Sequence, residues 1–514
     1  MYRQVPFARW LPKPLSILLT IIVLFPIMTI SGVYTGNAAE LSGALAAYTE
    51  FVSLANNAVA IGMAMGLLVV LRVRMRFKSQ EILIFCSIIL AALSYMNATT
   101  DNPYIIVAGS FLIGFFKLFP MIDMITAFMV TLSPNGDRGR FYALFYPMTL
   151  CIGQLSTYIF ASAISDSTYQ APYFIMGSIM LLITIISITF QHTSRFSFKK
   201  PLYQIDWLSM VSITISTMSF NVFFTFMKQQ GWFISPYIIA SLFTGLLFLG
   251  LTIYRQKFIK RKLFNFSIFC KSSNLSHSVT LLLFLGLYMS SSSLYTQFST
   301  AALGHSNLVA SRVNLWMIPG LMIAGVYAFY SFKNKWKIKY YIITGFVCFF
   351  LHTLSLYLLI QPQIDIEYVE YAMIVKGLAM GILYIGIWFY ASSNLAFEDF
   401  FSTLSILLLI RSFLGTAIGG SILSWAGYQL QWQSLSDISN HFDSGQFQNA
   451  MEMYPGINLN ALLASIKIIL GYLCWLIVPI LLFVLFHHYG EFNYRRVVLF
   501  RKVLRGNSFK GYKL

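Results

Sequence analysis

Apolar windows long enough to cross a bilayer, about 20 residues each, recur fourteen times along this 514-residue chain. They lie near 14–34, 46–71, 81–97, 104–132, 143–164, 172–190, 206–227, 234–254, 277–296, 313–332, 339–360, 371–393, 402–425 and 461–486. Between them no stretch exceeds roughly 35 residues, which leaves no room for an independently folded soluble domain. Charged residues make up 10% of the chain and hydrophobic ones 58%. A water-exposed surface requires about 25% charged residues, so the expectation is an all-α membrane protein. The first window follows Arg3, Arg9 and Lys13 and superficially resembles a signal peptide. It is too long and lacks a small-residue cleavage site, so it reads as a retained helix.

An even number of spans places both termini on one side. If that side is the cytoplasm, seven cytoplasmic segments hold 29 of the 35 Lys and Arg, in accord with the positive-inside rule. The net charge of +18 is then a topology signal and an anchor to anionic lipid. Nucleic-acid binding would need one basic soluble face, and none is available. The expected location is the inner (plasma) membrane, multi-pass, with both termini cytoplasmic. The five cysteines show no CxxC spacing, so neither a metal cluster nor a disulfide framework is expected, and no cofactor is implied.

Several local patterns share an order. Asp206-Trp207-Leu208 opens the seventh window and Gly231-Trp232-Phe233-Ile234-Ser235 precedes the eighth. Lys376-Gly377-Leu378-Ala379-Met380-Gly381 lies in the twelfth window, and Arg411-Ser412-Phe413-Leu414-Gly415 with Gly419-Gly420 in the thirteenth. Gly109, Gly114 and the run Asp137-Arg138-Gly139-Arg140 complete the set. Together these resemble the fourteen-helix drug:proton antiporters of the major facilitator superfamily, the EmrB/QacA type, in a divergent form. The segment Gly66–Arg74 lacks that family's loop aspartate, and its helix 5 glycine-proline motif survives only as Gly153-Gln154. The resemblance implies a major facilitator fold of 14 helices, two six-helix bundles (1–200 and 272–514, the latter with a basic tail) flanking two inserted helices (201–271). It further implies proton-coupled efflux of drugs or amphiphiles by alternating access. Some members of that family pass substrate to a periplasmic membrane-fusion adaptor and an outer-membrane channel. The long segment Gly427 to Asn460 is the one candidate here for docking such partners.

Six cations depart from the charge pattern, of which Lys117, Lys376 and Arg411 fall deep inside apolar windows. A charge at mid-bilayer costs roughly 2.5–3.5 kcal/mol and is retained mostly beside a cavity or partner, which makes these three candidates for substrate contact or gating. Asn57, Gln154 and Gln297 are polar candidates for the same role, with helix gluing as the plainer reading. Asp123 and Glu50 are the candidate proton carriers, since a buried carboxyl titrates nearer neutrality. Asp123 could equally neutralise a cation on a neighbouring helix. Gly114, Gly153, Gly415, Gly419 and Gly420 are expected at helix contacts. An enzyme would show acid or His pairs near an interface, and His441 with Asp443 is the single such pair. Alternatives kept open are a transporter of a specific metabolite or lipid with other coupling, and a non-transporting scaffold or sensor.

Overall fold

The computed structural model describes residues 7–489 apart from 9, 35–37, 47, 133–137, 193–201, 260–261, 265, 267, 270–271, 362–363, 393–396 and 440–449. Each of the fourteen windows is helical. They are α1 Lys13–Thr29, α2 Thr49–Arg76, α3 Ser79–Thr99, α4 Pro103–Leu132, α5 Arg138–Ser165, α6 Ala171–Phe190, α7 Trp207–Phe226 and α8 Pro236–Phe258. They continue as α9 Ser273–Ala301, α10 Asn307–Lys333, α11 Ile338–Leu359, α12 Ile366–Ala391, α13 Phe397–Ser439 and α14 Ala450–Phe486. Thirteen are long and apolar enough to span, and α1 is the shorter fourteenth. A lipid-exposed backbone must satisfy its polar groups within the segment, which is why the chain crosses only as helices.

The elements differ from the windows in five places. α1 stops at Thr29, and residues 30–34 are not helical. α9 breaks at Ser291 and α10 at Trp316. α13 holds a π-helical turn at Ile410–Leu414. The stretch expected to be a partner-binding loop, Gly427–Asn460, is largely helix: α13 runs on to Ser439 and α14 begins at Ala450. His441 and Asp443 lie outside the described residues.

Two six-helix halves repeat one packing device. In the first, Gly62 of α2 abuts the Phe111 carbonyl of α4 and Gly114 abuts the Val59 carbonyl. In the second, Gly320 of α10 abuts the Ile374 carbonyl of α12 and Gly377 abuts the Met317 carbonyl. The spacing of three residues within each pair is identical, so the two crossings are equivalent. A Cβ at any of the four would collide with backbone, and small residues are what let membrane helices approach this closely. Between the halves, α7 and α8 form a hairpin that packs through α7 on α2 and α13. α8 buries only Ile238, Gly245, Thr252 and Gln256, close to a seven-residue seam against α7, and exposes Phe243, Leu246, Leu247 and Tyr254.

Successive spans alternate in direction, so the described chain begins and ends on one face, called here the terminal face. There Phe7 pairs with Gln191 beyond α6, and His277 of α9 contacts Tyr489 beyond α14.

Candidate functional site

The loss of helix after Thr29 has a local cause. Pro26 sits in the last turn of α1, and the Ile30 N–H closes on its carbonyl as the final helical bond. Gly32 then lies so close to Ser110 of α4 that a side chain could not fit. Unwinding strips intrahelical partners from carbonyls inside the membrane, and side chains replace them. Lys117 Nζ donates to the Ile30 carbonyl at 2.8 Å, and Asn97 Nδ2 to the Gly32 carbonyl at 3.3 Å. Irregular backbone at this depth is tolerated where protein buries it or a cavity adjoins it, and both hold here.

The cavity measures about 610 Å³ and lies between the halves. Its walls come from the unwound segment (Ser31, Val33, Tyr34), α2, α4, α5, α12 and α13. Lys117 lies in its wall at 5% exposure. Arg411, in the π-helical turn, lines the cavity from the other half and stands 3.9 Å above the Tyr384 ring, with Tyr146 and Trp388 each at 5.8 Å. A π-turn inserts one residue into the helical repeat and so re-aims the side chains within it, a device common at functional sites. No Asp, Glu or His lines this cavity among the described residues.

A second cavity, about 710 Å³ and polar, opens toward the face opposite the termini. Glu50, Asn57, Lys228, Gln297 and Tyr428 line it. Asn56 and Ser412 line both cavities, so the two meet there. On the terminal side the halves touch: Tyr142 packs edge-on against Phe389 at 6.1 Å, and Ser405 Oγ of α13 donates to the Ala64 carbonyl of α2 at 2.6 Å.

Lys117 and Arg411 come together on the central cavity, and Glu50, Asn57 and Gln297 on the outer one. Asn57 is also bonded to Asn221 of α7 at 2.9 Å, the gluing role. Lys376 lines neither cavity and donates to Ser292 Oγ at 2.6 Å, next to the break in α9. Each half therefore uses a lysine of its fourth helix to hold its broken first helix. Gln154 lines neither cavity. Asp123 faces away from the cavity: Arg74 Nε lies 2.8 Å from its carboxylate, which also accepts from Ser79. Gly114, Gly415 and Gly419 are packing glycines, whereas Gly153 and Gly420 meet nothing within 4 Å and line the central and outer cavities. For those two the helix-contact expectation is corrected.

Tyr34, Ser31, Tyr142, Tyr146 and Trp388 also line the central cavity and Tyr384 lies under Arg411, with no motif in the sequence marking them. A usable signal was present in Pro26 and Gly32, which interrupt the first window, because a broken span is the best sequence pointer to a transporter site.

No protein-family model and no curated protein matches the sequence. The structure is similar to that of a mutant of the peptide transporter POT, with TM-score 0.55 and 13% identity over 93% of this chain and 97% of that one. It is similar to POT in complex with sulfate at 0.53 and 14%, over 93% and 97%. A mutant of the nucleoside transporter NupG gives 0.50 and 13%, over 89% and 98%. At such identities the likeness concerns architecture, and with thirteen apolar helices of spanning length, a shorter fourteenth among the described residues and the repeated six-helix halves it establishes that this is a multi-pass membrane protein with the major facilitator fold.

Proposed function

We propose that this chain is a secondary transporter that exports amphiphilic small molecules in exchange for protons by alternating access. The observation that carries this reading is the pair of adjoining cavities. A central chamber of drug-molecule size meets an outer vestibule at Asn56 and Ser412, while on the terminal side the halves touch through Tyr142 with Phe389 and Ser405 with the Ala64 carbonyl. One state of a rocking-bundle carrier has this form. The outward direction and the proton exchange rest on the sequence patterns around Lys376 and Arg411 that resemble the drug:proton antiporters. The location in the inner membrane with the terminal face inside rests on the 29 basic residues of that face. Glu50 is the carboxyl placed on the vestibule, where it can exchange a proton with the outer phase, and we assign the coupling to it. No finding supports an adaptor or an outer-membrane channel, and the proposed cycle is that of the chain alone.

The test uses purified protein in liposomes and a panel of fluorescent amphiphiles of both charge signs. An imposed pH gradient drives accumulation of at least one of them, and Glu50→Gln abolishes gradient-driven accumulation while leaving substrate exchange. Movement no faster than in protein-free vesicles for the whole panel would remove transport and favour a scaffold or sensor. The neighbouring structures, a peptide and a nucleoside transporter by name, support a second reading, carriage of one metabolite class. That reading predicts exchange of a single compound type regardless of the pH gradient.

A further inference from the structure

Two cations share the central cavity, and among the described residues neither is paired with a carboxylate. Lys117 spends one of its three N–H donors on the Ile30 carbonyl. Arg411 stacks over Tyr384 and is always charged. In a low-dielectric chamber two like charges without a counter-ion are costly, and an incoming anion removes that cost. A third observation is independent of charge. The Tyr34 hydroxyl lies in the same wall, 5% exposed, with no hydrogen-bond partner; the Ser31 N–H is near but does not reach hydrogen-bonding geometry. A buried donor left unmade costs about 1–3 kcal/mol, so it too is suited to an acceptor oxygen that arrives with the ligand. Met121, Tyr142, Phe145 and Trp388 give the wall an apolar and aromatic body, interspersed with neutral polar side chains such as Asn56, Thr126 and Ser156.

We propose that the central cavity takes an amphiphilic organic anion, its carboxylate or sulfonate held by Lys117, Arg411 and the Tyr34 hydroxyl and its aromatic body against the rings of α5 and α12. The proposal deepens the transport reading and rests on it for the movement of the ligand, though not for its binding. A lipophilic cation, the other class an aromatic chamber could accept, would meet two positive charges and no negative one.

Binding is measured on the full-length protein in phosphatidylcholine nanodiscs with three matched probes: 2-naphthalenesulfonate, neutral 2-naphthalenesulfonamide and the cation (naphthylmethyl)trimethylammonium. The sulfonate binds at least tenfold more tightly than the other two. Lys117→Met and Arg411→Met each weaken it tenfold or more while changing sulfonamide affinity less than threefold, and Lys117→Arg retains most of it. Because removing Lys117 frees the Ile30 carbonyl and could unfold α1, Tyr34→Phe is the control. It deletes only a hydroxyl without a partner, so the unliganded melting temperature holds or rises while sulfonate affinity falls severalfold. Preference for the cation, or sulfonate binding indifferent to all these variants, overturns the proposal. Displacement of the sulfonate by phosphatidylglycerol at low mole fraction, with no transport of the sulfonate in liposomes, reassigns the site to a lipid and also overturns it. Charge-selective binding with no displacement by lipid and no transport leaves the site standing and removes the transport reading, whereas transport of the cation alone does the reverse.

Discussion

Asp123 and Arg74 are each within reach of water only marginally, with side-chain exposures of 6% and 11%, and their separation of 2.8 Å ties the end of α2 to α4. Gln191 at the end of α6 extends the tie by donating to Ser79 at 3.2 Å, and Ser79 in turn donates to Asp123. The geometry is that of a latch joining four helices on the terminal side. Removing one member of a buried pair leaves a desolvated charge and costs roughly 3–5 kcal/mol, whereas removing both costs far less. Asp123→Asn and Arg74→Gln each lower the melting temperature in detergent, and the double variant recovers most of the loss in a double-mutant cycle. On the proposal that Glu50 carries the coupling, the same double variant retains gradient-driven transport. If Asp123 carried the proton, stability could recover but coupled transport could not. From sequence both roles were open: a carboxyl in an apolar window announces that something charged is near, but Arg74, 49 positions earlier in the chain, is its partner only once α2 and α4 cross.

At the scale of elements, the α7–α8 hairpin shows how a junction works. Asp206 caps α7 by accepting from the Ser209 N–H at 3.3 Å, and Arg255 at the end of α8 reaches it at 3.0 Å. Burial raises the Asp206 carboxyl, but the hydrogen bonds from Arg255 and Ser209 outweigh it and hold the group below its usual value. A depressed carboxyl contributes stability above its unfolded value, about 3.9, and loses it as pH falls through the lower folded value. Asp206→Asn is therefore less stable than the parent at pH 7, and the gap in melting temperature narrows from about pH 4 downward. Arg255 is 41% exposed, so solvent screening keeps the effect modest. This junction was legible as the motif Asp206-Trp207-Leu208. The existence and order of all fourteen helices were equally legible, since span length and charge alternation are local properties of the chain. The break in α1 and the π-turn at Arg411 were not. Both depend on contacts with distant helices, namely Ser110 and Lys117 for the first and the rings of α5 and α12 for the second.

Over the whole molecule, the repeated crossings at Gly62 with Gly114 and Gly320 with Gly377 make each half a body of backbone-to-backbone contacts, while the halves meet where Gly325 of α10 abuts Ala143 and Pro147 of α5 and where Tyr142 packs on Phe389. Such an interface can part without unfolding either body, which alternating access requires. The contacts on the terminal side and the vestibule on the opposite side assign this state an access direction, and that direction is measurable. Ser412 stands where the two cavities meet, and Thr126 lies in the central cavity on the α4 turn after Asp123. None of the four described cysteines, Cys86, Cys151, Cys348 and Cys474, lines either cavity, so a cysteine-free background should preserve the site. In that background a membrane-impermeant maleimide added from the vestibule side labels Ser412→Cys at least tenfold faster than Thr126→Cys, and reagent added from the terminal side labels both slowly. Saturating substrate then protects Ser412→Cys from the vestibule side and raises the reactivity of Thr126→Cys from the terminal side, because a carrier must open there to complete its cycle. Equal labelling of both positions from both sides, unchanged by substrate, would mean an open pore or a rigid scaffold, and the two halves would then not be moving bodies.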